Sequence, residues 1–243
     1  MSYRAVTFKS VYERILRLME YDPATWPGSA GQQELIADLA TQALREAWHN
    51  AIWSSIRSLE ERTVETDADD NKYIPFAETG LDTIDHVFAI TRSDPRANKA
   101  PMELHFWVSA RGFEVARLAP ATAFVQYRVR PPQLTRVAYS GATTYAEGDL
   151  VYDATSGDCY RSLVGSNTGN AVSSATHWER QRIPEFLSEY VRRATFAELL
   201  RNDGRGDRAD IEAGRAFSEL ERTLIAEESQ QQQEPQLRIH LTR

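Results

Sequence analysis

From Gln32 to Val64 neither proline nor glycine interrupts the chain. Leu35, Ile36, Leu39, Ala43, Leu44, Ala47 and Trp48 recur there at steps of three and four, which gathers them into one apolar stripe on an α-helix. Asp38, Gln42, Arg45, Glu46 and His49 fall on the other side, and Gly28, Ser29 and Gly31 stand where a start signal belongs. Leu35, Leu39, Leu44 and Trp48 are the expected core positions. Ile52, Trp53 and Ile56 either continue the stripe or turn the chain off it. Leu59 to Val64 suits an extended segment leaving the helices. A helix this long with one greasy face needs partner helices.

Both ends of the chain supply them. Thr7 to Tyr21 reads as a helix with Val11, Ile15, Leu18 and Met19 on one side, capped by Thr7 or Ser10 and broken by Asp22-Pro23 and Trp26-Pro27-Gly28. The short return into the organising helix predicts an antiparallel pair. Helical spacing resumes after Pro184 with Phe186, Leu187, Tyr190, Val191, Ala194, Leu199 and Leu200, and Asn202 to Gly206 is a helix stop. Asp207 to Glu227 is the last helix, with Ile211, Phe217, Leu220, Leu224 and Ile225 as its apolar positions.

Between the helix pairs the period shifts towards two. Tyr73–Phe76, His86–Thr91, Glu103–Val108, Gly112–Val115 and Phe124–Val129 are short β-type runs punctuated by Asp94-Pro95, Asn98 to Pro101 and Arg111-Gly112. Ala138 to Arg182 is rich in Gly, Ser, Thr and Tyr and reads as an autonomous small β unit closed by Trp178. The expected fold is therefore α+β. It has an N-terminal helical pair (1–64), an antiparallel β insertion (65–137), a small all-β module (138–182) and a C-terminal helical pair (183–228) completing a four-helix core, followed by a linker and extended tail (229–243). In that tail Leu237, Ile239 and Leu241 alternate with Arg238, His240 and Thr242, a strand pattern after the low-complexity Gln230 to Gln233. It suits strand addition to another subunit's sheet, or packing on its own domain.

The chain carries a formal charge of −7, a poor basis for nonspecific nucleic-acid binding. Its single cysteine, Cys159, excludes an intrachain disulfide and a cysteine-based metal cluster, and it reads as a strand residue of the small unit. His49, His86, His105, His177 and His240 lack metal-site spacing, and no Gly-rich phosphate loop or Gly-x-Ser-x-Gly elbow is present. No enzyme, cofactor or metal is expected. The opening MSYRAVTFKS has no signal-peptide core and no run is long enough to span a bilayer, so synthesis in the cytoplasm and no membrane partner are expected. Arg128 and Arg130, with Arg136 beyond them, either pair with an acidic neighbour or line an ordinary exposed face.

Two resemblances enter on these residues. Val11 to Leu18, Asp22-Pro23-Ala24, Ile36-Ala37-Asp38, Leu44 to Trp48, Trp53, Glu60-Glu61-Arg62 and Phe124 to Pro132 resemble tailed-phage head–tail connector proteins, the adaptors beneath the portal ring. That resemblance, covering most of residues 7–135 and 183–228, implies a structural virion protein of the neck. Its partners would be a homo-oligomeric ring, by family a dodecamer, the portal protein, and a tail or further neck protein. DNA would slide through its channel unbound, which an acidic wall suits. Leu237, Arg238, Ile239, His240 and Leu241 would match the segment that grips the portal. Locally, Tyr145 to Tyr152, Cys159 to Leu163 and Trp178-Glu179 resemble chitin- and cellulose-type carbohydrate-binding modules, with Tyr139 where a tryptophan is usual. This second resemblance implies Tyr139, Tyr145, Tyr160 and Trp178 as sugar-stacking aromatics of an accessory virion protein. The same rings in so small a unit also suit its core.

Overall fold

In the computed structural model, which describes residues 4–51, 53–76, 84–97 and 101–233, the chain runs β1 (Ala5–Val6), α1 (Phe8–Leu18), α2 (Ala30–Asn50), β2 (Arg57–Thr63), β3 (Glu65–Thr66), β4 (Lys72–Pro75), β5 (Ile84–Thr91) and β6 (Phe106–Val108). It continues with β7 (Gly112–Val115), β8 (Thr122–Val129), β9 (Leu150–Asp153), β10 (Asp158–Ser162), β11 (Trp178–Gln181), β12 (Ile183–Pro184), α3 (Glu185–Asn202) and α4 (Gly206–Gln233). The fold is mixed α+β, and it divides into two compact units, residues 54–131 and the described residues up to 53 together with those from 132 onward.

Local chemistry sets the helix ends. Thr7 caps α1 by accepting from the Ser10 amide. Ser29 and Gln32 form a reciprocal capping box that starts α2 upstream of the expected stripe. Trp53 decides how α2 ends. Its indole N–H donates to the Ala47 carbonyl at 2.8 Å, in the last turn, and its ring packs on Phe186 with centroids 5.4 Å apart. The chain thus turns off the helix at Ala51, and Leu59 to Thr63 enters β2 as an extended segment. Gly204, at φ +74°, makes the turn between α3 and α4.

The helices are organised around α3 rather than α2. Leu187, Tyr190, Val191, Thr195, Phe196, Ala197, Leu199 and Leu200 are buried on several sides of α3, as an inner helix requires. α1, α2 and α4 each pack on α3. α1 and α2, expected as a direct pair, hardly approach each other along their backbones. β1 pairs antiparallel with β12, and the Glu185 amide donates to Arg4, which ties the start of α1 to the start of α3.

Three expectations need correction here. Leu35 is 41 % exposed, not in the core, whereas Leu44 and Trp48 are fully buried and Leu39 is half-buried. The buried face is turned from the expected stripe, with Ala37 and Ala40 in place of Leu35 and Leu39 beside Ile36, Ala43, Leu44, Ala47 and Trp48. On α4 only Leu220 of the expected apolar positions is buried, while Ile211, Phe217 and Ile225 stand in solvent. The glutamine run expected as a linker continues α4 to Gln233, as suits a residue of good helix propensity.

Residues 54–131 form two antiparallel sheets, in strand order β2-β8-β5 and β3-β4-β7-β6. Val64, Ile74, Ile90, Phe113, Val115, Val125 and Tyr127 make their shared core. On β8 the inward set is Ala123, Val125 and Tyr127, so Phe124 lies on the opposite face from Tyr127. Gly112 is required where β7 meets β4, because a Cβ there would run into the Ile74 carbonyl.

Trp48→Ala is expected to lower unfolding free energy by about 3–5 kcal/mol in urea titration, as loss of a large buried aromatic does. Leu35→Ala should stay within about 0.5 kcal/mol of the parent, as exposed substitutions do. Equal effects would contradict this division of α2 into covered and open faces.

Candidate interaction surfaces

The small β module is built on β10, with β9 and β11 on either side. Tyr145, Val151, Tyr160 and Trp178 form its buried core, with Tyr139 packed against them. Ring centroids lie 5.2 Å apart for Tyr145–Trp178, 5.7 Å for Tyr139–Trp178 and 6.1 Å for Tyr139–Tyr145. Their polar ends are satisfied within the module. The Trp178 indole and the Tyr139 hydroxyl both donate to the Asn170 carbonyl, and the Ser140 amide donates to the Tyr145 hydroxyl. The aromatics implied as a sugar platform therefore face one another. Tyr145, Tyr160 and Trp178 are buried, and Tyr139 alone is partly open. Stacking on a sugar ring needs an open aromatic face, which the core packing consumes.

The module is also tied to the helices. The Phe8 and Lys9 amides, orphan donors of the first turn of α1, donate to the Asp158 carboxylate and the Gly157 carbonyl at 3.3 and 2.8 Å. Asp158, almost fully buried, is also paired with Arg180. The Arg136 guanidinium lies over the Tyr12 and Tyr152 rings, 4.5 and 4.1 Å from their centroids, and the Arg136 amide donates to Glu34 of α2. Sequence reasoning missed these ties because their partners stand far apart in the chain.

Cys159 is fully buried, exchanging hydrogen bonds with the Thr135 backbone, and burial pushes its thiol pKa up to about 12. That is a structural thiol, without the thiolate a nucleophile needs. No group of acids, histidines and cysteines among the described residues could hold a metal ion. No helix among them is long and apolar enough to cross a membrane.

Surfaces remain. In residues 54–131, Arg128 is paired with Asp85 at 2.7 Å, which leaves Arg130 as the exposed arginine of that strand end. Arg130 borders a cleft of about 520 Å³ lined by Phe76, Ile84, Val87, Phe106 and Val108, between the edge strands β5 and β6. In the helical unit a groove of about 170 Å³ crosses α3 between Leu39 of α2 and Phe217 of α4, floored by Ala194, Ala197, Ala213 and Ala216. Phe217 is 58 % exposed, Ile211 57 % and Ile225 63 %. The expected grip residues Leu237, Arg238, Ile239, His240 and Leu241 lie outside the described residues.

Cys159 supplies a direct check. In the native protein it should be inert to a thiol-specific disulfide reagent at mildly alkaline pH, and react fully in denaturant. Between the ordinary thiol value and about 12, the unfolded chain releases this proton and the folded chain keeps it. Stability contributed by this group should then fall as pH rises through that window. Fast labelling of the folded protein would contradict the burial. In comparisons with known proteins, no family model and no curated protein matches this sequence.

Proposed function

We propose that this chain is a structural virion protein, a head-to-tail connector whose copies form a ring below a phage portal, extend the DNA channel and give the tail or neck a platform. The observation that carries the reading is the exposure of three large apolar side chains, Ile211, Phe217 and Ile225, along α4. A long terminal helix that turns Ile211, Phe217 and Ile225 to solvent suits a chain whose working state is an assembly. Two further features support it. The segments resembling connector proteins, Val11 to Leu18 and Leu44 to Trp48, fall on helices that pack on α3. The formal charge of −7 suits a surface past which DNA must slide. A ring of twelve copies and a portal grip through Leu237, Ile239 and Leu241 belong to the same proposal.

The test is co-sedimentation with a portal ring, using the full chain and a chain cut after Gln233, where α4 ends. Binding by the full chain alone supports both the connector role and the tail as its grip. Binding by both forms keeps the role and moves the contact to the folded units. Binding by neither removes the reading.

A further inference from the structure

The two sheets of residues 54–131 touch at one end of a seam and part along the rest of it. Thr91, at the end of β5, bridges Glu103, the Leu104 amide donates to the Ile90 carbonyl and the Arg92 amide donates to the Met102 carbonyl. The strands then diverge, because Phe106 to Val108 turns away to pair with β7. Among the described residues, β5 and β6 are each the last strand of a sheet, and His86 to Ala89 have β8 on one side and no strand on the other. The gap is the cleft of about 520 Å³, whose apolar walls come from both sheets. An open strand edge presents amides and carbonyls to any extended chain, and proteins usually blunt such edges with charge or proline. β6 carries neither, and leaves Trp107 and Val108 mostly in solvent.

Charge decides which extended chain suits the gap. A strand added beside β5 would alternate its side chains between the cleft and the outer face of the sheet. On that outer face Arg57, Arg128 and His86 stand in one cross-strand row. Asp85, the one acid among the described lining residues, is held by Arg128. Arg130 is exposed and has no ion-pair partner among the described residues. The Arg57 guanidinium lies over the Phe88 ring, 4.7 Å from its centroid, and burial lowers its pKa with no carboxylate beside it to oppose the shift. The chain's own tail has the alternation but would bring Arg238, His240 and Arg243 against these cations, and like charges across a strand pair are unfavourable.

We propose that the cleft between β5 and β6 binds an extended acidic segment of another protein, added as a strand at the open edges, with alternate apolar side chains in the cleft and carboxylates set against Arg57 and Arg130. Main-chain pairing would supply affinity, and the alternation of apolar and acidic residues would supply specificity. This site goes beyond the connector reading and stands without it.

Fluorescence anisotropy of the full chain with short labelled peptides tests it. The probe alternates valine with glutamate and threonine over the length of β5. Its counterparts carry lysine for glutamate, the same residues in an order without alternation, or methylated backbone amides. The parent should bind the acidic probe saturably, and each counterpart, like a peptide of residues 236–243, about tenfold more weakly or worse. Arg130→Glu should lose the acidic probe to a similar extent and gain the lysine peptide. Val108→Lys, which puts a charge on the undefended edge, should weaken the acidic probe too. Both positions are open to solvent, and circular dichroism melts verify that the variants fold. Absence of saturable binding by the acidic probe overturns the proposal. So does binding that ignores Arg130 and Val108, the alternation or the methylated amides. Equal binding of the 236–243 peptide would give the cleft to the chain's own end and overturn the acidic partner.

Discussion

Burial of α3 on several sides is the constraint on which the helical unit depends. A helix that presents apolar side chains in several directions cannot stay in water, so it collects neighbours until each direction is covered. Here α1, α2 and α4 supply the cover. The pairing of β1 with β12 fixes where α1 and α3 begin, and Trp53 packed on Phe186 fixes where α2 stops. Glu212 of α4, buried and bonded to Arg193 of α3 at 2.9 Å, locks the hairpin at the other end of the chain. A buried acid is tolerated there because two guanidiniums, Arg193 and Arg215, meet it.

The β module belongs to the same unit through helix-end chemistry. The first turn of α1 leaves amides that must find acceptors, and the Asp158 carboxylate and Gly157 carbonyl provide them. Arg136 then fills the seam between Tyr12 and Tyr152. A module held by such contacts has its orientation settled by α1. Its aromatics are consumed in holding a unit of three short strands together, with Tyr139 alone left partly open.

Much of the secondary structure was legible because it rests on short-range rules. The β runs between residues 73 and 129 all fall on or beside strands, since alternation and turn residues act over a few positions. Ser29 and Thr7 act as caps, and Asn202 to Gly206 ends a helix. Cys159 was legible as a strand residue. Illegible were the faces. Leu35 and Leu39 look equivalent in spacing, and Ile211, Phe217 and Leu220 look equally apolar, yet only contact with α3 sorts covered from open. The exposed side chains of α4 that support the assembly reading are among those mismatches.

The amino-acid sequence by itself determined the order of elements, the α+β class and the positions at which helices start, because periodicity and capping are properties of neighbouring residues. Tertiary structure alone decided which helix lies at the centre, where α2 ends and which apolar residues remain in water. Those outcomes depend on partners distant in the chain, such as Trp53 with Phe186 and Phe8 with Asp158, and local pattern carries no record of them. An apolar stripe states that a face must be covered. Whether a helix of the same chain or another copy covers it is settled by packing.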